Sequence, residues 1–376
     1  MKKRLFTPGP TMVPEEVLLE MAKPVVHHRS EEFGRLFAQV QEDLKYLFQT
    51  ENPVLILTSS GTGAMEAAVV NLFSREDTAL VIRGGKFGER WGEICEAYGV
   101  RYVAIDVEWG HAVDPEDVRK ALREHPEVKV ILATQSETST GVLHDVRALA
   151  EVAREADALL VVDAISSLGA HPLSMDEWEV DVVLTGSQKG LMLPPGLAFI
   201  SLSERAWKAT ERSDLPKYYW DLAKARSSLS KGQTPYTPAV SLVVGLARSL
   251  RILREMGLRS LWRRHARHAE ATRRAAVALG LELFSRSPSN VLTIVKVPDG
   301  VDGRALLKAA RAYGVTFAGG QERLSGKVVR ITHLGHMDDF DTLSAVAALE
   351  RALRDVGYDV TLGKGVAAAQ EVLSEG

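Results

Sequence analysis

The run Val180-Asp181-Val182-Val183-Leu184-Thr185-Gly186-Ser187-Gln188-Lys189-Gly190 decides how this chain is read. Its first half is apolar and β-branched, the composition of a buried strand. Its second half is a tight polar turn carrying a lysine, and a further β-rich run, Leu197-Ala198-Phe199-Ile200-Ser201-Leu202, comes shortly after. A lysine at such a strand end sits over an interior. There an ammonium costs several kcal/mol unless it is paired, discharged or used covalently. An amine with a lowered pKa forms a Schiff base with an aldehyde. Upstream, Ala158-Leu159-Leu160-Val161-Val162-Asp163 is a second apolar run, and it ends in an acid. A lysine at one strand end and a carboxylate at another is the pair that a pyridoxal phosphate enzyme needs. The lysine holds the aldehyde and the acid keeps the pyridine nitrogen protonated.

Around these two runs the pattern alternates. Strands are expected at 53–58, 79–82, 101–105, 128–133, 158–163, 180–185 and 197–202, and helices at 31–49, 64–72, 87–98, 114–123 and 145–155. Alternation of this kind implies an α/β fold with a mostly parallel sheet covered by helices. Ligands bind beyond the carboxyl ends of such strands, so the turns after 58, 133, 163 and 185 are where chemistry is expected. A long helical pattern begins near 238 and runs into an arginine-rich stretch at 258–279. Then come β runs at 290–297 and 327–332 and helices at 302–313 and 338–356, a smaller C-terminal α+β unit. The expected division is an N-terminal arm at 1–20, a large domain at 21–253 and a small domain at 254–376. Pro8, Pro10 and Pro14 discourage regular structure in the arm. The tail from 363 reads as peripheral or as one more short helix.

Composition narrows the class. The chain has 376 residues, so roughly two domains are expected. A formal net charge of −3 argues against nucleic acid as the main partner. Cys95 is the only cysteine, which excludes an internal disulfide and a Cys-rich metal site and fits a reducing cytoplasm. No apolar signal-peptide core follows Met1-Lys2-Lys3-Arg4, and no apolar window is long enough for a membrane span. His265 and His268, like His333 and His336, stand three apart with no acid or cysteine completing a zinc set, so no metal is expected.

Other residues gain meaning from the strand ends. Ser59-Ser60-Gly61-Thr62-Gly63 follows a strand and opens a helix, where backbone N–H groups and the helix dipole favour an anion. An ordinary helix cap is the plainer reading. Phe87 lies in the glycine loop after 79–82 and can stack on a flat heterocycle, or simply pack under its loop. Lys86 beside it is the rival amine. Thr138-Ser139-Thr140-Gly141 offers hydroxyls at the same sheet edge, or is only a polar loop. Arg330, flanked by apolar residues in Val328-Val329-Arg330-Ile331-Thr332, suits a carboxylate ligand or an internal salt bridge in equal measure.

Taken together these residues resemble class V (fold-type I) pyridoxal phosphate aminotransferases, nearest to the alanine–glyoxylate, serine–glyoxylate and serine–pyruvate group. The matches run from Thr7-Pro8-Gly9-Pro10 through His28-Arg29-Ser30-Glu31-Glu32-Phe33, Ser60-Gly61-Thr62-Gly63, Glu137-Thr138-Ser139-Thr140-Gly141-Val142-Leu143, Val162-Asp163, Ser187-Gln188-Lys189-Gly190 and Pro194-Pro195-Gly196 to the Arg330 strand. The resemblance implies pyridoxal 5'-phosphate as cofactor, carried by Lys189, with Asp163 on its ring nitrogen. Ser60, Gly61, Thr62 and Gln188 would hold its phosphate. Phe87 would stack on the ring, where many members have tryptophan, and Thr138 would touch ring and substrate. Gly9 and Arg330 would receive the substrate carboxylate. A homodimer is implied, in which Gln233, Thr234 and Thr237 reach the partner's phosphate. The activity implied is ping-pong transfer of an amino group from alanine or serine to glyoxylate or pyruvate. The alternatives are an aminotransferase for aspartate, phosphoserine or a phosphonate amine, a same-fold lyase or desulfurase, and a non-catalytic relative such as a hydrogenase-associated protein.

Overall fold

Successive residues of the central strands point to opposite faces, and both faces are apolar. Val54 and Ile56 join one core while Leu55 and Leu57 join another; Leu160 and Val162 part from Leu159 and Val161 in the same way. A strand buried on both sides must read as a continuous apolar run, and this is why the runs were legible. The computed structural model describes residues 2–375. Met1 and Gly376, the outer ends of the expected arm and small domain, lie outside the described residues.

The larger sheet has seven strands in the order Val54–Leu57, Ala198–Leu202, Val182–Gly186, Leu159–Asp163, Val128–Thr134, Thr78–Arg83 and Arg101–Asp106. Only Ala198–Leu202 runs against its neighbours. The helices Glu31–Phe48 and Val240–Met256 pack their apolar stripes on one face. Gly61–Leu72 covers the other. The carboxyl ends of the parallel strands therefore open on one edge, which carries the turns expected to hold the chemistry.

A second sheet of four strands has the order Arg4–Phe6, Val315–Gly319, Val328–Thr332 and Leu292–Lys296. The helices Gly303–Ala312 and Asp339–Asp355 bury its apolar side in a separate core.

The N-terminal arm departs from expectation. Arg4–Phe6 is a strand paired in parallel with Val315–Phe317, and Phe6 is fully buried, its ring 6.1 Å from that of Phe317. Glu15–Met21 is a helix. The prolines do not oppose either element. Pro8 and Pro10 lie between them, and Pro14 precedes the first helical turn, where a missing N–H breaks no bond. The tail takes the helical alternative, as Lys364–Ser374.

Candidate active site

Lys189 stands just past the strand Val182–Gly186. Ser187 fixes the turn: its hydroxyl donates to the Pro194 carbonyl at 2.8 Å and accepts from the Leu197 amide at 3.2 Å. Lys189 reaches back over the sheet edge, and Nζ donates to the Pro8 carbonyl at 2.7 Å. The residue is half-buried, but protein surrounds the amine. This desolvation lowers its pKa to about 8; Asp163 opposes the shift, while Arg330 and Arg90 add to it. The rival, Lys86, is tied up in ion pairs with Glu93 at 2.8 Å and Glu322 at 3.7 Å.

Asp163 ends the neighbouring strand and is buried. Its carboxylate accepts from the Ile165 amide at 2.8 Å and the Thr134 hydroxyl at 3.4 Å. Burial pushes its pKa up to about 7; the Ile165 amide opposes this, Glu137 adds to it, and Lys189 and Arg90 pull it down. A buried acid in that position calls for a cation beside it.

The helix Gly61–Leu72 begins beside this pair. Ser60 caps it in extended geometry, yet its hydroxyl makes no capping bond, which leaves hydroxyl and first-turn amides for a ligand. Gly61 lies against Ile165, where a Cβ would come within 2.5 Å of Ile165 Cδ1. Gln188 buries its amide oxygen with no hydrogen-bond partner among the described residues; turned over, the amide presents its NH2 to an anion. Hydroxyls, helix amides, an unpartnered amide and a desolvated amine fit a phosphorylated aldehyde.

Glu137 organises the far wall. It is buried and accepts from the amides of Phe87 and Gly88 at 2.9 Å each, and from the amide and hydroxyl of Ser139 at 3.0 and 2.6 Å. These bonds anchor the first turn of the helix Lys86–Tyr98 and fix where Phe87 stands. Arg330 crosses from the second sheet. Its Nε donates to the Gly319 carbonyl at 2.7 Å and Nη1 to the Thr138 carbonyl at 3.0 Å and Gln321 Oε1 at 3.3 Å. These partners are neutral oxygens, not the carboxylate that an internal salt bridge would supply.

One cavity is lined by Ser60, Gly61, Thr62, Phe87, Thr138, Asp163, Gln188 and Lys189. Gly9 lies against the lysine, since a Cβ there would fall 2.6 Å from both Lys189 Cε and Nζ. Arg330 joins through Thr138. Gln233, Thr234 and Thr237 are not in this cavity. Gln233 accepts from Arg29, and Thr234 and Thr237 line a separate surface pocket beside Thr58 and Tyr236. The sequence reading missed Arg90, Ser136, Ile165 and Ser166, which line the same cavity. The signal for Arg90 was its place one helical turn after Phe87. Ile165 and Ser166 follow directly on Asp163.

Residues 4–331 match the family Aminotransferase class-V. A Synechococcus protein named "Soluble hydrogenase, small subunit" is 45% identical over 99% of this chain and 99% of its own. The L-aspartate–glyoxylate aminotransferase of Paracoccus denitrificans is 38% identical, over 98% of this chain and 95% of its own. The crystal structure of ureidoglycine–glyoxylate aminotransferase from Bacillus subtilis superposes with a TM-score of 0.96 at 31% identity, covering 100% of this chain and 98% of that one.

Proposed function

The chain belongs to aminotransferase class V, with the fold-type I architecture and pyridoxal 5'-phosphate as cofactor, and from that premise we propose that it moves an amino group from a small amino acid, alanine or serine, to glyoxylate or pyruvate in ping-pong order. One observation carries the reading. The Lys189 amine is desolvated, has its pKa lowered to about 8, and shares a cavity with a buried Asp163.

When bound, the cofactor supplies an electrophilic aldehyde and a ring that accepts the electron pair released at the substrate Cα. The chain's own residues supply the rest. Lys189 would hold the aldehyde, and its neutral amine would take the proton from the substrate Cα. Asp163 stays anionic against the ring nitrogen, and a cation there relieves its burial. Ser60, Gly61, Thr62 and Gln188 hold the phosphate. Phe87, fixed by Glu137, covers the ring. Arg330 turns its guanidinium on the substrate carboxylate, with Gly9 and Thr138 beside it.

Gln233, Thr234 and Thr237 stand apart from their own chain's cavity, which suits a role in the cavity of a second copy, so we assign a homodimer. No helix of the described residues is long and apolar enough to cross a membrane; a cytoplasmic location is part of the proposal. A desulfurase needs a reactive cysteine. Cys95 is buried in the helix Lys86–Tyr98, and burial pushes its thiol up to about 12.

The test is borohydride reduction of the protein supplied with cofactor, followed by peptide mapping, beside an assay of amino donors against glyoxylate, pyruvate and 2-oxoglutarate. A tag on Lys189, loss of turnover in Lys189→Ala, and alanine or serine as best donor are expected. A best donor of aspartate, matching the name of the Paracoccus relative, replaces the substrate assignment. A tagged protein inert to every donor favours the alternative of a non-catalytic relative such as a hydrogenase-associated protein; the Synechococcus relative is named a hydrogenase small subunit.

A further inference from the structure

Arg90 has no place in the reading above, yet it is built into the cavity. It lies on the helix Lys86–Tyr98, one turn after Phe87, so the two side chains share a face. Its guanidinium carbon sits 4.9 Å from the centre of the Phe87 ring, and Nη1 donates to Thr62 Oγ1 at 3.1 Å. Both partners are uncharged, and the cation reaches Thr62 across 28 positions of chain.

The polarity of that hydrogen bond matters. A guanidinium only donates, whereas a threonine hydroxyl has one hydrogen and two lone pairs. With Arg90 filling a lone pair, the single Thr62 hydrogen is free to point elsewhere. Thr62 stands in the first turn of the helix Gly61–Leu72 and lines the cavity beside Ser60, whose hydroxyl makes no capping bond. We propose that Arg90 is a positioning residue for the cofactor phosphate: it holds Thr62 as a hydrogen-bond donor to that phosphate and adds positive charge behind it. This rests on the assignment of Ser60, Gly61 and Thr62 to the phosphate.

Because the effect is aimed at the phosphate, it must vanish for a ligand that lacks one. The experiment measures dissociation constants of the full-length, cofactor-stripped chain for pyridoxal 5'-phosphate and for pyridoxal, by absorbance titration and equilibrium dialysis. The proteins are wild type, Arg90→Leu, Arg90→Lys, Thr62→Val and the Arg90→Leu/Thr62→Val double variant. A hydrogen bond to a charged group is worth roughly 10- to 100-fold in affinity. Arg90→Leu is expected to weaken pyridoxal 5'-phosphate by that factor and pyridoxal by less than about twofold. The double variant should bind no more weakly than Arg90→Leu and Thr62→Val predict for one shared interaction, well short of the product of their effects. Arg90→Lys, which keeps charge but not the directed donor, should fall between wild type and Arg90→Leu. If Arg90→Leu does not fold, Arg90→Lys and its double with Thr62→Val carry the same comparison. Equal losses for the two ligands, or effects that multiply, overturn the proposal. Failure of the wild type to prefer pyridoxal 5'-phosphate over pyridoxal overturns the phosphate assignment itself and the proposal with it.

Discussion

The backbone carbonyl of Pro8 accepts a 2.7 Å hydrogen bond from Lys189 Nζ, although the two residues lie 181 positions apart. Thr11 adds a second tie, its hydroxyl donating to the Lys189 carbonyl at 3.3 Å. The segment that leaves the strand Arg4–Phe6 thus passes directly over the lysine. The second sheet, through its edge strand, and the Lys189 amine, through its turn, are joined by one short stretch of chain.

Gly9 is the close point of that crossing. A methyl group there would lie 2.6 Å from Lys189 Nζ and 2.9 Å from Cδ, well inside contact distance. Lysine is flexible, so the fold survives and the amine moves. Displacing a reacting group by about 1 Å costs on the order of 100-fold in rate. Gly9→Ala is expected to lose about that much in kcat and to change Tm little. Stopped-flow single turnovers and a thermal scan check this; an unaltered kcat would remove Gly9 from the site.

The pH at which Lys189 reacts is a second measurable quantity. Burial disfavours the ammonium, so the amine loses its proton near pH 8 instead of 10.5. Only the neutral amine attacks an electrophile. In the cofactor-stripped chain, labelling of Lys189 by an amine-reactive reagent should rise about tenfold per pH unit up to about pH 8 and then level off. The negative charge of Asp163 holds the lysine's pKa up, so in Asp163→Asn the break should move to lower pH. Peptide mass spectrometry of pH-stepped labelling reads both. A break near pH 10 would show the amine to be solvated.

The sequence made the strand ends legible because a strand buried on both faces leaves few polar residues, and those that remain stand at its end. Asp163 and Lys189 were visible for that reason, and Ser60–Thr62 because a strand gives way there to a helix. Other parts of the site leave no such mark. The Pro8 carbonyl is a backbone atom that any residue would supply. Arg90 looks like an ordinary exposed helix arginine until the fold brings Thr62 beside it. The strand Val315–Gly319 is only partly buried and so lacks a continuous apolar run, and its partner Arg4–Phe6 lies at the far end of the chain. Gln233, Thr234 and Thr237 stand apart from the cavity, beside Arg29, Thr58 and Tyr236.

Arg330 is held by three neutral oxygens, which aim the guanidinium without neutralising it. Lysine keeps the charge but cannot make the two-pronged contact with a carboxylate. Arg330→Lys is expected to raise KM for the amino donor roughly 10- to 100-fold, with a smaller effect on kcat. Initial rates across donor concentrations decide it. An unchanged KM would place the substrate carboxylate elsewhere.

Glu137 offers a contrast with Arg90. Burial pushes its carboxyl upward in pKa while the four donors around it hold it down. Glu137→Gln keeps one acceptor oxygen and turns an NH2 against the remaining N–H donors. With its NH2 toward the helix, the Phe87 and Gly88 amides lose their acceptor; with its NH2 toward Ser139, only the Ser139 amide does, because the hydroxyl rotates and accepts from the NH2. An unpaired buried donor costs about 1–3 kcal/mol, so stability should fall by a few kcal/mol, read as a lower urea midpoint with unchanged slope. Phe87 loses its anchor in the first of these orientations, and the ring it would cover belongs to pyridoxal as much as to its phosphate. Whatever affinity Glu137→Gln loses through Phe87 should therefore fall on both ligands alike, where Arg90→Leu weakens only the phosphorylated one. Phosphate-selective loss in Glu137→Gln would mean that the carboxylate acts on the helix Gly61–Leu72 and not through Phe87.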